Sequence, residues 1–201
     1  MTLQLGPHEQ RIIPEAIDFL RTNGVEIGPR YDDRTRYKPY LGALRITVFG
    51  TATENVFAGA RTVFQFPAGG LFGLFTPGVY SGAEACTEAY LYGLRVDSET
   101  GTFVDVVNTG GDSDGPILLQ FQVYDGDAGG IAKGYPVNIT LRPGRLDSPD
   151  QQFWEDSFFG SSGVANGWVK VSRMSGTAPW IVYAETWQRG TGDRAYVPMV
   201  K

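Results

Sequence analysis

The 201-residue sequence predicts an all-β fold, and three observations carry that expectation. Short runs rich in Val, Ile, Thr, Tyr, Phe and Trp recur along the chain, residue types that fit a pleated, half-buried surface. Clusters of Gly, Asp, Asn, Ser and Pro separate them, and 27 Gly with 12 Pro supply the turn conformations that closely spaced strands require. With 42% hydrophobic residues, 13% of the chain being aromatic, there is enough apolar surface to bury that a folded chain is expected.

Taken in order, residues 11–24 (RIIPEAIDFLRTNG) place Ile13, Ile17 and Leu20 at helical spacing. Pro14 sits where a first turn tolerates it and Gly24 acts as a stop, which predicts one short helix. Residues 28–42 (GPRYDDRTRYKPYLG) are polar and dense in Arg and Tyr, a long loop. In ALRITVF, residues 43–49, Leu44, Ile46 and Val48 alternate with Arg45 and Thr47, the pattern of a half-buried strand. Residues 55–66 (NVFAGARTVFQF) carry apolar side chains in both alternating sets, predicting a strand covered on both sides. Residues 70–79 (GLFGLFTPGV) close this first unit at Pro77.

From Tyr90 the runs YLYGLRV, TFVDVVN, ILLQFQVYD, YPVNITL, GWVKVSR, PWIVYAETWQ and AYVPMV follow, separated by the turn signals DSETG, NTGGDSDGP, DGDAGG, RPG, MSGT and RGTGD. About seven strands in this length match an immunoglobulin-like or fibronectin-like sandwich. DQQFWEDSFFG, residues 150–160, reads equally as a loop, a bent strand or a helical turn. The expected organisation is a partial sandwich unit at 1–82, a small-residue linker at 83–89 and a complete seven-strand unit at 90–201.

The two units resemble each other in phase. Gly42, Leu44, Arg45, Ile46 and Thr47 fall against Gly167, Val169, Lys170, Val171 and Ser172, while Ala60 and Thr62 fall against Ala184 and Thr186. Pro77 meets Pro198, and LQLGP (3–7) parallels ITLRP (139–143). A slip of one residue would turn every side chain to the wrong face, so retained phase favours duplication over chance. The first copy carries the insertion PRYDDRTRYKPY and lacks the block that opens the second, so it reads as a unit begun in mid-module. Either Met1 is an expression or fragment start, or other strands, from this chain or another, complete the unit.

GLRVDS (93–98), VVNTG (106–110), VYDGDAG (123–129), TLRPG (140–144) and GTGDRAYVP (190–198) resemble the β-sandwich repeat modules of large secreted or surface-exposed bacterial proteins of poorly defined function. The likeness covers about residues 90–200 and, in part, 3–79. In that family an Arg-Thr-Asn turn commonly follows the opening Gly-Leu-Arg, and a copy closes on a TGDP-type turn. Here ETGTFVDVVN lacks the first, and Arg194 stands where proline is usual. The resemblance implies an exported, noncatalytic module.

Chemistry-bearing residues are sparse. Formal net charge is −5 with no Lys/Arg cluster, which argues against nucleic acid. No apolar run approaches the roughly 18 residues that span a bilayer, and MTLQLGPHEQ lacks the regions of a signal peptide. No membrane insertion is therefore expected, and export would need a signal outside this chain. Cys86, the only cysteine, reads as a small buried hydrophobe. His8, the only histidine, reads as a solvated turn residue with no nucleophile elbow or metal partner. Asp97, Glu99, Asp105, Glu155, Asp156, Glu185 and Asp193 supply carboxylates, but their spacing identifies no glycosidase-like pair. Asp112 with Asp114, and Asp125 with Asp127, offer an oxygen-rich spacing suited to calcium, without the EF-hand pattern. Asn138-Ile139-Thr140 matches a glycosylation sequon but falls inside an expected strand.

Trp168, Trp180, Trp187 and Tyr183 concentrate in the last strands. Trp168, Tyr183 and Trp187 are the candidates for an aromatic binding patch, with core packing as the competing role. In PWIVYAETWQ both alternating faces are bulky, so both require cover. The expectation is a noncatalytic structural protein of the cell surface or exterior, self-associating by strand addition or packing against neighbouring repeats. The alternative is a carbohydrate- or protein-binding module of a larger secreted protein.

Overall fold

A computed structural model describes residues 1–27, 43–52, 55–65, 71–147, 158–160 and 162–201. The chain divides into two compact units, Met1–Leu41 and Gly42–Lys201. The loop expected at 28–42, with its insertion at 29–40, lies outside the described residues.

The first unit holds one helix, α1 (Ala16–Thr22), shorter than the span of 11–24 predicted from spacing. Asp18 in its first turn and Arg21 in its last complement the helix dipole. At the C-terminal end, Asn23 Nδ2 donates to the Phe19 carbonyl at 2.8 Å, and Gly24 follows at φ 79°, the left-handed position that ends many helices.

The second unit is built of antiparallel strands. β1 (Gly59–Gln65) and β2 (Leu71–Pro77) form a two-stranded ribbon. β3 (Glu88–Val96), β4 (Thr100–Asn108), β5 (Ile117–Asp125), β6 (Ile131–Leu141), β7 (Leu146–Asp147), β8 (Val164–Ser175), β9 (Trp180–Gln188) and β10 (Arg194–Pro198) make two four-stranded sheets. Their orders are β3-β8-β5-β6 and β10-β9-β4-β7. One apolar core joins them: Leu91, Phe121, Val123, Val169 and Val171 from the first sheet meet Val104, Val106, Trp180, Val182 and Ala184 from the second. This arrangement fits a β-sandwich. Strict alternation places these side chains; in β5, Ile117, Leu119, Phe121 and Val123 are fully buried while the residues between them are half-buried.

The chain crosses between the sheets in two adjacent places. β3 pairs with β8 and β4 with β9, while β3 runs into β4 and β8 into β9. An antiparallel strand pair therefore folds from one sheet to the other as a unit. Asp97 shapes the first crossing: its Oδ1 accepts the N–H groups of Glu99 and Thr100, both at 2.8 Å. At the second, Gly176 adopts φ 86°, and a Cβ there would lie 2.5 Å from the Pro116 carbonyl oxygen.

Several expectations differ from the structure. Residues 43–49 form no strand, and Leu44 and Ile46 are 65% and 55% exposed. Alternation marks what a strand would bury, but among the described residues no neighbouring strand pairs with this one; Arg45 Nη2 ties it to the rest of the unit by donating to the Thr109 carbonyl at 2.9 Å. β1 is not covered on both sides, since Val63 is exposed. The segment read as a linker contributes to the two-sheet core: Ala85 is fully buried and bridges Trp180, and Glu88 and Ala89 open β3. Of the repeat-paired segments, β1 and β9 are both strands, whereas residues 43–49 and 3–5 lack the strand structure of β8 and β6. β7, two residues long, matches none of the expected strands, and Phe158 and Phe159, from the ambiguous segment at 150–160, are core residues.

Asn108, fully buried at the end of β4, ties four segments together. Its Nδ2 donates to the carbonyls of Gly115 (3.3 Å) and Leu141 (3.1 Å), and its Oδ1 accepts the Gly110 N–H at 3.0 Å. Its own backbone exchanges hydrogen bonds with Arg145 and Gly144 at 3.0 and 2.9 Å. Asn108→Leu, similar in size, strands these buried partners, and a loss of about 3 kcal/mol is expected in chemical denaturation.

Candidate functional site

The outer face of the β3-β8-β5-β6 sheet carries an aromatic row. Register sets Tyr92 of β3 beside Trp168 of β8, and Trp168 beside Tyr124 of β5. The Tyr124 and Trp168 rings stack at 3.9 Å and 6°, and Tyr92 and Tyr90 lie 6.1 and 6.3 Å from Trp168. Tyr92 is 51% exposed; the others are half-buried.

A polar group adjoins the row. Glu88 accepts from Lys170 Nζ at 2.6 Å and from the Tyr90 hydroxyl at 2.9 Å. Hydrogen bonds from the Lys170 ammonium and the Tyr90 hydroxyl hold the Glu88 carboxyl below its ordinary pKa, and the same contacts raise those of Lys170 and Tyr90.

The outer face of the second sheet is shielded instead. Cross-strand pairing aligns Arg194, Trp187 and Gly101 in one row and Tyr196, Glu185 and Phe103 in the next, while Tyr183 and Asp105 pair in a third. Arg194 Nη1 meets Glu185 Oε2 at 2.9 Å, and its guanidinium lies 5.8 Å from the Phe103 ring centre. Asp105 is buried and stands opposite Tyr183 across the strands. Burial, then the charges of Asp105 and Glu185, push the Tyr183 phenol well above its ordinary value, and burial raises that of Tyr196. The doubly bulky PWIVYAETWQ run thus lies in a sheet whose two faces are both at least half-buried along β9 from Trp180 to Trp187.

The anticipated patch is divided between these faces. Trp168 belongs to the exposed one, while Tyr183 and Trp187 lie on the other sheet. Its neighbours Tyr90, Tyr92 and Tyr124 were missed. Alternation in YLYGLRV and ILLQFQVYD puts each on the outward side, but only register brings them to Trp168.

Asp112 and Asp114 lie in a single 3-10 turn before β5 and Asp125 and Asp127 at its far end, roughly 25 Å away along the strand. Asp114 accepts the Gly111 N–H (2.7 Å), Asp125 the N–H groups of Asp127 and Ala128 (3.1 and 3.3 Å), and Asp127 the amide of Asn166 (3.3 Å). Among the described residues no group of three or more His, Cys, Asp or Glu is arranged to hold a metal ion. His8 lies exposed in a turn at φ 61°. Cys86 is exposed, contrary to the buried role expected, because Ala85 takes the inward position beside Trp180. Glu155 and Asp156 lie outside the described residues.

A third surface is formed by the described residues between 43 and 80. Phe49 and Phe57 are 82% and 70% exposed, Val63 and Phe75 are also exposed, and Phe57 stacks on Phe75 at 5.9 Å. Leu74, on the opposite face of the ribbon from Phe75, is buried, and β2 lies against β10.

Comparison with known protein families, with curated proteins and with solved structures gives no match to this chain. No helix among the described residues is long and apolar enough to cross a membrane.

Two predictions follow from the shielded face. A phenol whose pKa is raised by folding contributes stability below its unfolded value and loses it as pH rises. Denaturation should therefore become easier above about pH 10, and Tyr183→Phe should flatten that decline. Trp187 lies across Gly101, where a Cβ would sit 2.0 Å from its Nε1. Gly101→Val should displace the indole, shifting tryptophan fluorescence and costing about 1–3 kcal/mol in thermal denaturation.

Proposed function

We propose that this chain is a noncatalytic structural β-sandwich protein, of immunoglobulin-like or fibronectin-like type, that associates with further copies of itself through residues 43–80. The observation carrying this reading is the concentration of exposed large apolar side chains there: Leu44, Ile46, Phe49, Phe57, Val63 and Phe75. Soluble monomers rarely leave such surface open, and a two-stranded ribbon is marginal in water on its own.

The sheet edges point to the same segment. β6 carries Lys133 and Pro136 and a positive-φ Gly134, features that discourage further pairing. β3 is bridged by Val200, whose backbone exchanges hydrogen bonds with Tyr90 at 2.7 and 2.8 Å. Among the described residues β1 pairs only with β2, so its other edge is the one that accepts an incoming strand. The resemblance of residues 90–200 to modules of secreted or surface-exposed bacterial proteins supports placing the assembly at the cell surface or exterior.

Light scattering over a concentration series tests this. Mass is expected to rise with concentration in the natural chain and to stay monomeric in Phe57→Ser/Phe75→Ser, whose positions are exposed and spare the core. A natural chain monomeric at every concentration would overturn the proposal.

A further inference from the structure

We infer that the outer face of the β3-β8-β5-β6 sheet binds a neutral polysaccharide, a role separate from assembly since none of residues 43–80 contributes to it. Three features of the face select that ligand.

First, the large apolar side chains in three successive rows of this face are aromatic. The rows through Tyr92, Tyr90 and Glu88 hold no Leu, Ile, Val or Met. A protein-binding patch of this size usually has an apolar centre mixing aromatic with other large side chains. Aromatic rings flanked by hydrogen-bonding groups suit a sugar, whose C–H faces pack on rings while its hydroxyls reach polar neighbours.

Second, the charges cancel locally. Glu88 is paired with Lys170, and Arg95, at the far end of β3, is paired with Asp97. An anionic polymer would find no free cationic row and a basic peptide no free carboxylate row, which leaves an uncharged ligand.

Third, polar capacity lies beside the rings. Gln120 Nε2 donates to the exposed Asn138 at 3.2 Å, and this amide pair continues the row of Glu88 and Ser172 across the sheet. Each amide retains donor or acceptor capacity beyond that single bond. The aromatic row spans three strands, about 10 Å, and the amide row runs parallel to it four residues, roughly 13 Å, further along the strands, with Tyr90, Lys170 and Gln122 between, so an extended ligand running along the strands meets rings and amides together.

The test uses the full chain and defined probes: neutral hexasaccharides of β-1,4-linked glucose, mannose and N-acetylglucosamine, and soluble xylan, followed by calorimetry and tryptophan fluorescence. At least one is expected to bind, to perturb the fluorescence, and to persist in high salt. Tyr92→Ala, at an exposed position, should weaken binding roughly tenfold or more, as should Trp168→Ala, with Tyr135→Ala on the edge strand as the unaffected control.

Silence with all four probes and on a wider neutral-glycan array would overturn the inference. So would binding that both variants retain, binding abolished by salt, or a protein ligand competing for Tyr92 and Trp168 while no sugar binds. The mass measurement on the Phe57 and Phe75 variant is independent of all these results.

Discussion

The carboxamide of Asn108 is the point on which the two-sheet unit hangs. It sits fully buried where β4 ends and bonds the loop leading to β5 and the end of β6, while the backbone of the same residue bonds the turn before β7. Buried amides are tolerated only when their hydrogen bonds are met, and satisfying this one requires the loop leading to β5 and the end of β6 to arrive in register. β4 and β7 belong to one sheet and β5 and β6 to the other, so one side chain fixes both sheets at that end.

From that tie the two sheets differ. β4 and β9 are shielded on both faces, and the outer side chains of their sheet are matched to one another through Arg194–Glu185, Phe103 beside Trp187, and Tyr183 against Asp105. The β3-β8-β5-β6 sheet buries one face and turns the other to solvent. The protein thus has a structural sheet and a presenting one, and the contrast arises from which strands carry paired bulky residues at both parities.

Much of this was legible in the sequence because strand periodicity is local. ILLQFQVYD has the pattern of a strand and is β5 over the same residues, and the bulky parities of PWIVYAETWQ match a doubly shielded strand. β7 is too short to leave a period. Residues 43–49 keep their alternation without a strand partner among the described residues, so the pattern records a capacity to pair rather than the pairing. The aromatic face failed for the complementary reason. Trp168 was singled out, but alternation tells only which side of a strand a residue occupies, not which strand lies beside it. Tyr92 and Tyr124 reach Trp168 through long-range register, while Tyr183 and Trp187, near it in sequence, depart to the other sheet after the crossing at Gly176.

That double crossing also governs when the fold can form. Among the strands of the two four-stranded sheets β3 and β4 emerge first, yet both find their main partners in β8 and β9; the bond from Gln188 to Thr100 and that from Arg189 to Asp97 close over 88 and 92 residues. Such closures carry a large entropic cost before any contact rewards them, which places this topology among slow folders. On a ribosome, the β1–β2 ribbon and the β5–β6 hairpin can form early, whereas β3 and most of β4 must wait for β8 and β9 to be made.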